Sequence, residues 1–213
     1  VGSGTGVLTR ALARRAGKVI AVEKDGRLAA ALENTIKEEG ITNVKIITGD
    51  ILKLLKSDFE SYHKVVSNIP YYLTSRLLRL LLENGPRRPE LIVLTIQKEV
   101  AQRIVAKPPH MNLLALSVQA FGSPKILKKV PASCFSPKPK IDSAIIKISN
   151  ISDAFFEKNS IDKTKFFELI RRAFSHKRKQ LFGQHLMLTK VAGIPEKARP
   201  VLEGRRMAQI EMT

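Results

Sequence analysis

Apolar and polar positions follow two different periods along the first two-thirds of the chain. Apolar residues spaced three or four apart predict helices, with Gly17 and Gly40 as stop signals, at residues 7–16, 26–39, 74–83 and 98–106. Short apolar and β-branched runs between them predict strands at residues 18–22, 44–48, 64–67 and 91–96. Strands that alternate with helices at this spacing are typical of a parallel, doubly wound α/β sheet.

The pattern changes after residue 112. Leu113–Phe121 and Ile141–Ile148 predict two long apolar strands, which we expect to pair antiparallel and close one edge of the sheet. Residues 149–161 are mostly polar and predict a linker. Only helical patterns follow, at 163–174, at 177–191 and after Pro195 or Pro200. We therefore predict an α/β domain over residues 1–150 and a small all-α domain over residues 151–213.

The composition is strongly basic. Lys and Arg total 37 against 19 Asp and Glu, a formal net charge of +18. A field of this sign attracts polyanions such as RNA, DNA or an anionic membrane, with general solubility as the alternative interpretation. The excess of bases lies on both sides of residue 150, so it is not confined to a basic tail.

Several classes of protein are excluded or disfavoured by what the sequence contains. The single cysteine, Cys134, can form neither an intrachain disulfide nor a cysteine metal cluster, and no other metal-ligand spacing is visible. No apolar run reaches the roughly 18 residues that a transmembrane helix needs. No signal peptide is visible, and because a glycine motif occupies the first six residues, we expect the true N-terminus to be missing.

Glycines and acids at successive strand ends predict a nucleotide-like ligand. Gly2, Gly4 and Gly6 form a turn that opens a helix, Glu23 ends the next strand, and Asp50 ends the one after it. Open α/β sheets bind ligands at this edge, where an acid can hold ribose hydroxyls and another an adenine amino group. The structural alternatives are an ordinary tight turn, a helix N-cap or first-turn acid, and an N-cap for the segment after Asp50. The complete dinucleotide and GK[ST] phosphate motifs are absent.

The most specific signal is Asn68-Ile69-Pro70-Tyr71 at the end of the fourth predicted strand. An adenine amino group is a poor nucleophile because its lone pair is delocalised into the ring. The Asn68 side-chain oxygen and the Ile69 carbonyl can accept both amino hydrogens and direct the lone pair at a methyl donor, so that positioning carries the rate. Pro70 fixes the turn and Tyr71 offers a stacking face. The alternative is a buried loop with a satisfied Asn and a core Tyr.

Further residues are candidates for contact with RNA. Phe135 lies in a Ser/Pro/Lys-rich loop and could stack on a flipped base, with loop packing as the alternative. Basic residues that could meet phosphates lie beside it and on the C-terminal helices, where a solvated charged face is the alternative: Lys138, Lys140, Arg171, Arg172, Lys177, Arg178 and Lys179.

On these residues the chain resembles the ribosomal RNA adenine dimethyltransferases of the kasugamycin-resistance type, which modify small-subunit rRNA. The matching stretches follow the family's order and cover almost the whole chain: GSGTGVLT (2–9), VEKD (22–25), GD (49–50), NIPYYLTS (68–75), QKEVAQRI (97–104), FSPKPKIDSAI (135–145) and AFSHKRKQL (173–181). The family's N-terminal segment and most of its first strand are absent. Family members more often have Pro at the position of Ser3, and an Arg-Arg-Lys run where this chain reads HKRK.

The resemblance implies a class I (Rossmann-like) methyltransferase that uses S-adenosylmethionine. Gly2, Gly4 and Gly6 would line the methionine end of the donor, Glu23 the ribose and Asp50 the adenine. The residues that would hold or stack on the target adenine are Asn68, Ile69, Pro70, Tyr71 and Phe135. Asn68 would also contact the donor.

The implied reaction is transfer of two methyl groups to N6 of each of two adjacent adenosines in a hairpin loop near the 3′ end of small-subunit rRNA, during ribosome biogenesis. The implied enzyme is a cytoplasmic monomer, or an organellar one if a transit peptide has been lost. The alternatives are a large-subunit methylase of the erythromycin-resistance type, a non-catalytic RNA-binding assembly or transcription factor, and a small-molecule methyltransferase, which fits the +18 charge poorly.

Overall fold

The computed structural model describes residues 1–56, 62–84 and 88–175. The described helices are α1 (Val7–Ala13), α2 (Gly26–Glu38), α3 (Ile51–Leu54), α4 (Thr74–Arg79), α5 (Lys98–Ile104), α6 (Leu113–Gln119), α7 (Ala154–Lys158) and α8 (Lys163–Ser175). The described strands are β1 (Val19–Glu23), β2 (Val44–Thr48), β3 (Lys64–Asn68), β4 (Leu91–Gln97), β5 (Ser123–Val130) and β6 (Ser143–Ser149). A π-helical turn, Leu80–Asn84, extends α4.

The strands form two sheets. Strands β1 and β2 pair in parallel, and a second sheet has the order β3-β4-β6-β5. In that second sheet β3 and β4 are parallel, whereas β6 runs antiparallel to both β4 and β5. The predicted alternation of helices with parallel strands is confirmed. An antiparallel pair lies at one edge, and the predicted strand Ile141–Ile148 corresponds to β6, but its outer partner is not the predicted strand Leu113–Phe121.

Residues Val1 and Gly2 lie between the two sheets. The Gly2 N–H donates to the carbonyl of Val22 in β1 at 2.8 Å. The Ser67 hydroxyl in β3 donates to the carbonyl of Val1. The glycine turn that follows is therefore attached to the ends of both sheets.

The main hydrophobic core lies under one face of the second sheet. Strand β4 alternates strictly, with Ile92, Leu94 and Ile96 fully buried and the residues between them half-buried. Leucines of α4 and its π-turn, together with residues of α5 and α6, complete this core: Leu77, Leu78, Leu81, Leu82, Ile104 and Val118. A period of two in the strand and of three to four in the helix explains why the sequence predicts both elements.

The prediction of a strand at Leu113–Phe121 is wrong. These residues form helix α6, whose N-cap Asn112 accepts a hydrogen bond from the Ala115 N–H at 3.1 Å. The apolar run Leu113–Leu116 is continuous, and periodicity cannot separate a buried helix from a strand in such a run. The outer strand of the antiparallel pair is instead β5, whose lysines give it no strand-like apolar pattern.

The prediction of a polar linker at 149–161 is also wrong. Helix α7 occupies its centre and buries Phe156 to 2% exposure. The Phe156 ring lies 5.2 Å from that of Phe121 and 5.4 Å from that of Phe166, centroid to centroid. Phe156 belongs to the same core cluster as the buried residues of β4. This one buried ring therefore anchors a segment that is otherwise polar.

Helix α8 confirms the predicted helix at 163–174, and its Phe167 and Ile170 also join the main core. The helices predicted at 177–191 and after Pro195 or Pro200 lie outside the described residues, and the domain boundary at residue 150 stays a prediction. Among the described residues, no helix is long and apolar enough to cross a bilayer.

Candidate active site

The glycine turn has the backbone geometry that its sequence requires. Gly2, Gly4 and Gly6 all adopt left-handed φ angles, of 61°, 51° and 81°. A Cβ on Gly6 would lie 2.1 Å from Cδ1 of Leu32, whereas a Cβ on Gly4 would meet nothing within 4 Å. A Cβ on Gly2 would lie 3.8 Å from the carbonyl oxygen of Asn68. The turn is therefore packed against α2 on one side, open at Gly4, and adjacent to the Asn68 turn.

Glu23 is a buried carboxylate held by backbone donors. It is 8% exposed, and its two oxygens accept N–H groups from Gly4 at 2.8 Å, Lys24 at 2.8 Å and Asp25 at 3.1 Å. The N-cap of α2 is Asp25, so the N-cap interpretation of Glu23 is wrong. A carboxylate has about four acceptor positions, so capacity for a ribose hydroxyl remains. That role stays a prediction.

Asp50 is held in place by two contacts. One oxygen caps α3 by accepting the Leu52 N–H at 2.9 Å, and the other lies 3.3 Å from Nζ of Lys24. The hydrogen bond from Leu52 and then the Lys24 ammonium lower the pKa of Asp50, so it is ionised at neutral pH. The capping interpretation is confirmed, and the role toward adenine stays a prediction. Nothing in the sequence singles out Lys24.

The Asn68 turn presents an exposed amide at the end of β3. Asn68 is exposed, and its side chain forms no hydrogen bond within the described residues, whereas Ile69 is 3% exposed. The turn is closed by the Leu73 N–H, which donates to the Pro70 carbonyl at 3.0 Å. The alternative of a buried, satisfied Asn is therefore wrong. An exposed, unpartnered amide on a rigid turn is available to a ligand.

Tyr71 connects this turn to the antiparallel strands. Its hydroxyl is hydrogen-bonded at 2.8 Å to the hydroxyl of Ser143, a residue with 0% exposure at the start of β6. Ser143 pairs with Gln97 at the end of β4. The loop that carries Phe135 therefore reaches the same sheet edge as Asn68. The sequence does not single out Ser143. The one feature that could have indicated it is that a small polar residue stands at the start of an otherwise apolar strand.

Phe135 lies in the loop between β5 and β6. It is half-buried, its N–H donates to the Ala132 carbonyl at 3.2 Å, and no aromatic ring among the described residues packs on it. Lys138 and Lys140 in the same loop are exposed. The structure thus places the loop of Phe135 at the same sheet edge as Asn68, and no aromatic ring among the described residues packs on Phe135. Its role toward a target base stays a prediction.

The predicted basic helix face is described only in part. Arg171 pairs with Glu83 at 3.3 Å and Arg172 with Glu168 at 2.5 Å, so both guanidinium groups have acidic partners within the protein. Lys177, Arg178 and Lys179 lie outside the described residues. A role of these residues in RNA binding stays a prediction.

The arrangement fits S-adenosylmethionine. The Ser3 hydroxyl in the glycine turn is buried and has no hydrogen-bond partner among the described residues. Gly4 leaves open space beside it, and Glu23 and Asp50 stand at the neighbouring strand ends. An orphaned hydroxyl, a turn without side chains and two fixed carboxylates suit a polar ligand that contains an adenosine.

Comparison with known proteins supports this assignment. The family model described as ribosomal RNA adenine dimethylase matches residues 1–210. The ribosomal RNA small subunit methyltransferases A of Dehalococcoides mccartyi strain BAV1 and Shouchella clausii are 44% and 39% identical, over 86% and 93% of this chain. The chain spans 62% of the length of the Dehalococcoides relative and 68% of that from Shouchella.

Two solved structures share the fold. A dimethyladenosine transferase from Plasmodium falciparum matches 89% of this chain and 66% of its own, with a TM-score of 0.73 and 31% identity. The 23S rRNA methyltransferase ErmE matches 87% of this chain and 73% of its own, with a TM-score of 0.66 and 26% identity. The predicted α/β fold of the class I methyltransferases is thus confirmed, and the chain belongs to the ribosomal RNA adenine dimethylase family.

Proposed function

We propose that the chain transfers methyl groups from S-adenosylmethionine to N6 of two adjacent adenosines in a hairpin loop near the 3′ end of small-subunit rRNA, during ribosome biogenesis. The observation that carries this proposal is the Asn68 turn. It presents an exposed amide, unpartnered within the described residues, at the end of β3 and next to a glycine turn with open space at Gly4. Family membership supports the reaction type, and the names of the small-subunit relatives support the choice of subunit.

The donor would be held by the first two strand ends. Backbone N–H and carbonyl groups of the turn at Gly2, Gly4 and Gly6 would line its methionine end. Glu23, kept in position by three backbone N–H groups, would accept from the ribose hydroxyls, and ionised Asp50 would accept from the adenine amino group. S-adenosylmethionine, when bound, supplies an electrophilic methyl group.

The target adenine would be held by the Asn68 turn. The Asn68 side-chain oxygen and the Ile69 carbonyl would accept the two hydrogens of the exocyclic amine. Because both acceptors lie on the same turn, they fix the direction of the nitrogen lone pair and favour the pyramidal amine of the transition state. The proton is lost after methyl transfer, from an ammonium acidic enough to need no strong base.

Two aromatic residues would hold the target base. Tyr71, fixed through its hydroxyl by buried Ser143, would stack on one face, and Phe135 on the other. Pro70 keeps the turn between Asn68 and Tyr71 rigid by fixing its own φ at −55°. An adenine removed from an RNA stack would regain stacking between these rings, which offsets the free energy of flipping.

The proposed partner is the pre-ribosomal small subunit. The net charge of +18 favours a polyanionic substrate over a small molecule. Lys138 and Lys140, exposed beside Phe135, would meet phosphates that flank the target loop, and Arg171, Arg172, Lys177, Arg178 and Lys179 would dock the particle. We propose that the chain acts as a monomer in the cytoplasm, where such particles are assembled.

The direct test is methylation of purified precursors of the two ribosomal subunits, kept separate and supplied with labelled methyl donor. We expect label in the small-subunit RNA only, as N6,N6-dimethyladenosine at two adjacent positions by mass spectrometry. Label in the large subunit alone would support the erythromycin-resistance type instead. RNA binding without methyl transfer would support a non-catalytic assembly factor.

A further inference from the structure

Strands β5 and β6 carry lysines on the face of the second sheet that is not packed against α4–α6. Lys125 of β5 stands directly opposite Lys147 of β6 in the antiparallel register. Lys147 in turn pairs with Val93 of β4, whose side chain is only half-buried, whereas the neighbouring Ile92 and Leu94 are fully buried on the opposite face. The two lysines therefore lie on the accessible face.

An irregularity in β5 brings a third lysine to this face. The register shifts between Ile126, which pairs with Ile146, and Lys128, which pairs with Ile145. Strict alternation would put Lys128 on the same side as Ile126, but the extra residue, Leu127, moves it to the other side. Lys125, Lys128 and Lys147 thus share one face. We call these three residues the lysine face.

The lysine face is not neutralised within the described residues. None of its three ammonium groups has a carboxylate partner there. The nearest acid in sequence, Asp142, is already engaged: one oxygen accepts the Ala132 N–H at 3.1 Å and the other lies 3.9 Å from Nζ of Lys98. Lys138 and Lys140, in the loop that leads from β5 to β6, are exposed and equally without a partner in the described chain.

Lysines on an outer strand have an ordinary explanation, which is to prevent edge-to-edge aggregation. That explanation accounts for Lys125 and Lys128 on β5. It does not account for Lys147, which lies on an inner strand between β4 and β5. Two like charges directly opposite each other destabilise a sheet, so the pair Lys125–Lys147 has a cost in stability that edge protection does not require.

We propose that the lysine face is a docking surface for the phosphate backbone of the RNA, continuous with the catalytic edge through Lys138 and Lys140. The proposal rests on the proposed function, because it takes the substrate to be RNA. Clustered ammonium groups without acidic partners bind phosphates by releasing condensed counterions. The loop of Lys138 and Lys140 also carries Phe135, so strand contacts would align the duplex that flanks the target loop.

The test compares two triple variants of the full chain that have the same net charge. One is Lys125→Gln/Lys128→Gln/Lys147→Gln. The control, Lys56→Gln/Lys107→Gln/Lys158→Gln, removes three exposed lysines scattered over the surface. The probe is a hairpin RNA with the proposed target loop, and its dissociation constant is measured across a salt series. Circular dichroism and melting temperature check folding, with Lys125→Gln/Lys128→Gln as the second variant if Lys147→Gln perturbs it.

We expect the lysine-face variant to bind about tenfold or more weakly near 0.1 M salt, with a salt slope lower by about two to three, because each duplex phosphate contact contributes about 0.9 to that slope. The control should change both quantities much less. If the unsubstituted chain binds and methylates RNA but the two variants have the same dissociation constant and salt slope, the docking surface alone is overturned. Increased aggregation of the lysine-face variant with unchanged RNA affinity would also overturn the docking surface alone. Failure of the unsubstituted chain to bind RNA would overturn the proposed function and the docking surface together.

Discussion

The two halves of the proposed site are built on cores of different size. The proposed donor half comprises Gly2–Asp50 with sheet β1–β2, and the proposed acceptor half comprises Asn68–Ser143 with sheet β3-β4-β6-β5. The donor half has a small cluster of its own, Ala21, Leu32 and Ile36, whereas its Val22 belongs to the large cluster. The acceptor half rests on the large cluster that includes all the buried residues of β4, the leucines of α4 and the rings of α7 and α8. Free energy of folding is therefore concentrated in the acceptor half.

The functional side chains of the two halves are also held by different contacts. Glu23 accepts hydrogen bonds from its immediate successors Lys24 and Asp25 and from Gly4, which is 19 residues away. Asp50 accepts from Leu52, two residues later, and contacts Lys24 across the β1–β2 pair. Tyr71 is held by Ser143, which is 72 residues away in sequence. The donor half thus depends mainly on backbone N–H groups and contacts within the first 52 residues, whereas the acceptor half depends on correct pairing of strands farther apart in sequence. Substitutions in the two halves should fail in different ways.

The largest expected effect is that of Gly6→Ala in the donor half. The new Cβ would lie 2.1 Å from Leu32 Cδ1, at a φ of 81° that L residues rarely adopt. Left-handed backbone costs about 1–2 kcal/mol and overpacking about 1–3 kcal/mol, so we expect the donor half to lose about 3 kcal/mol. Denaturant unfolding measures the loss, and hydrogen exchange should show it first in β1 and β2.

Gly17→Ala is the matched control, since its Cβ would meet nothing within 4 Å and its φ is not positive. It should leave stability within about 0.5 kcal/mol of the original chain, as expected of a surface substitution. If Gly6→Ala accelerated exchange in β4 as much as in β1, the distinction between a weakly and a strongly stabilised half would be wrong.

Asn68→Ala should affect chemistry and not stability. The side chain is exposed and unpartnered within the described structure, so its removal should leave the melting temperature unchanged. Methyl transfer should fall about a hundredfold or more, the size seen when one polar group that stabilises a transition state is removed. Donor affinity, measured by calorimetry with S-adenosylmethionine, should stay near normal.

Asn34→Ala, an exposed asparagine on α2, controls for the loss of a surface amide and should have full activity. Full activity of Asn68→Ala would refute the mechanism. A large loss of donor affinity with unchanged turnover would move Asn68 from the acceptor half to the donor half.

The two halves also differ in how much of their structure the sequence predicts. Strands β1, β2, β3 and β4 carry clear apolar runs, and the carboxyl ends of parallel strands meet at one edge. That topology alone predicts that Glu23, Asp50 and Asn68 lie along a common edge. The contact of Lys24 with Asp50 depends on the β1–β2 register, which the sequence does not specify.

The errors lie where periodicity is weak or where one residue decides the structure. Leu113–Leu116 is apolar without a period, so the pattern predicts a strand where α6 forms. Strand β5 escapes prediction because its register shift and its lysines remove the alternation. The segment around α7 is polar on average, and only Phe156 shows that it is packed. The pairing of Ser143 with Tyr71 cannot be predicted, because the contact requires the antiparallel alignment of β6 with β4.

Phe135→Ala should weaken turnover with little change in overall RNA affinity. Stacking of a base on an aromatic ring contributes about 1–3 kcal/mol, so we expect about a tenfold loss in the rate of methyl transfer at saturating RNA. Affinity should persist because phosphate contacts dominate it. Phe155→Ala, a partly exposed ring on α7, is the aromatic control and should not slow transfer. A loss confined to RNA affinity would place Phe135 among the docking residues instead.

The smallest effect expected is that of the hydrogen bond between Tyr71 and Ser143. Tyr71→Phe and Ser143→Ala each remove this bond, which contributes about 1 kcal/mol, so each should lower turnover about fivefold. The double variant should lose no more than either single variant, because both remove one and the same contact. Tyr71→Phe should also lower the melting temperature more than Ser143→Ala, since it leaves the hydroxyl of a residue with 0% exposure unsatisfied.

A double-mutant cycle on kcat, run alongside one on melting temperature, separates orientation of the Tyr71 ring from simple stability. Coupling in kcat with KM for RNA unchanged would mean that the bond positions Tyr71 for the flipped base. Additive losses in kcat would mean that the two residues act independently. The 2.8 Å bond between Tyr71 and Ser143 links the Asn68 turn to the strand that follows the Phe135 loop. Additive losses would therefore show that this long-range contact does not position Tyr71, and the proposed difference between the two halves would be wrong.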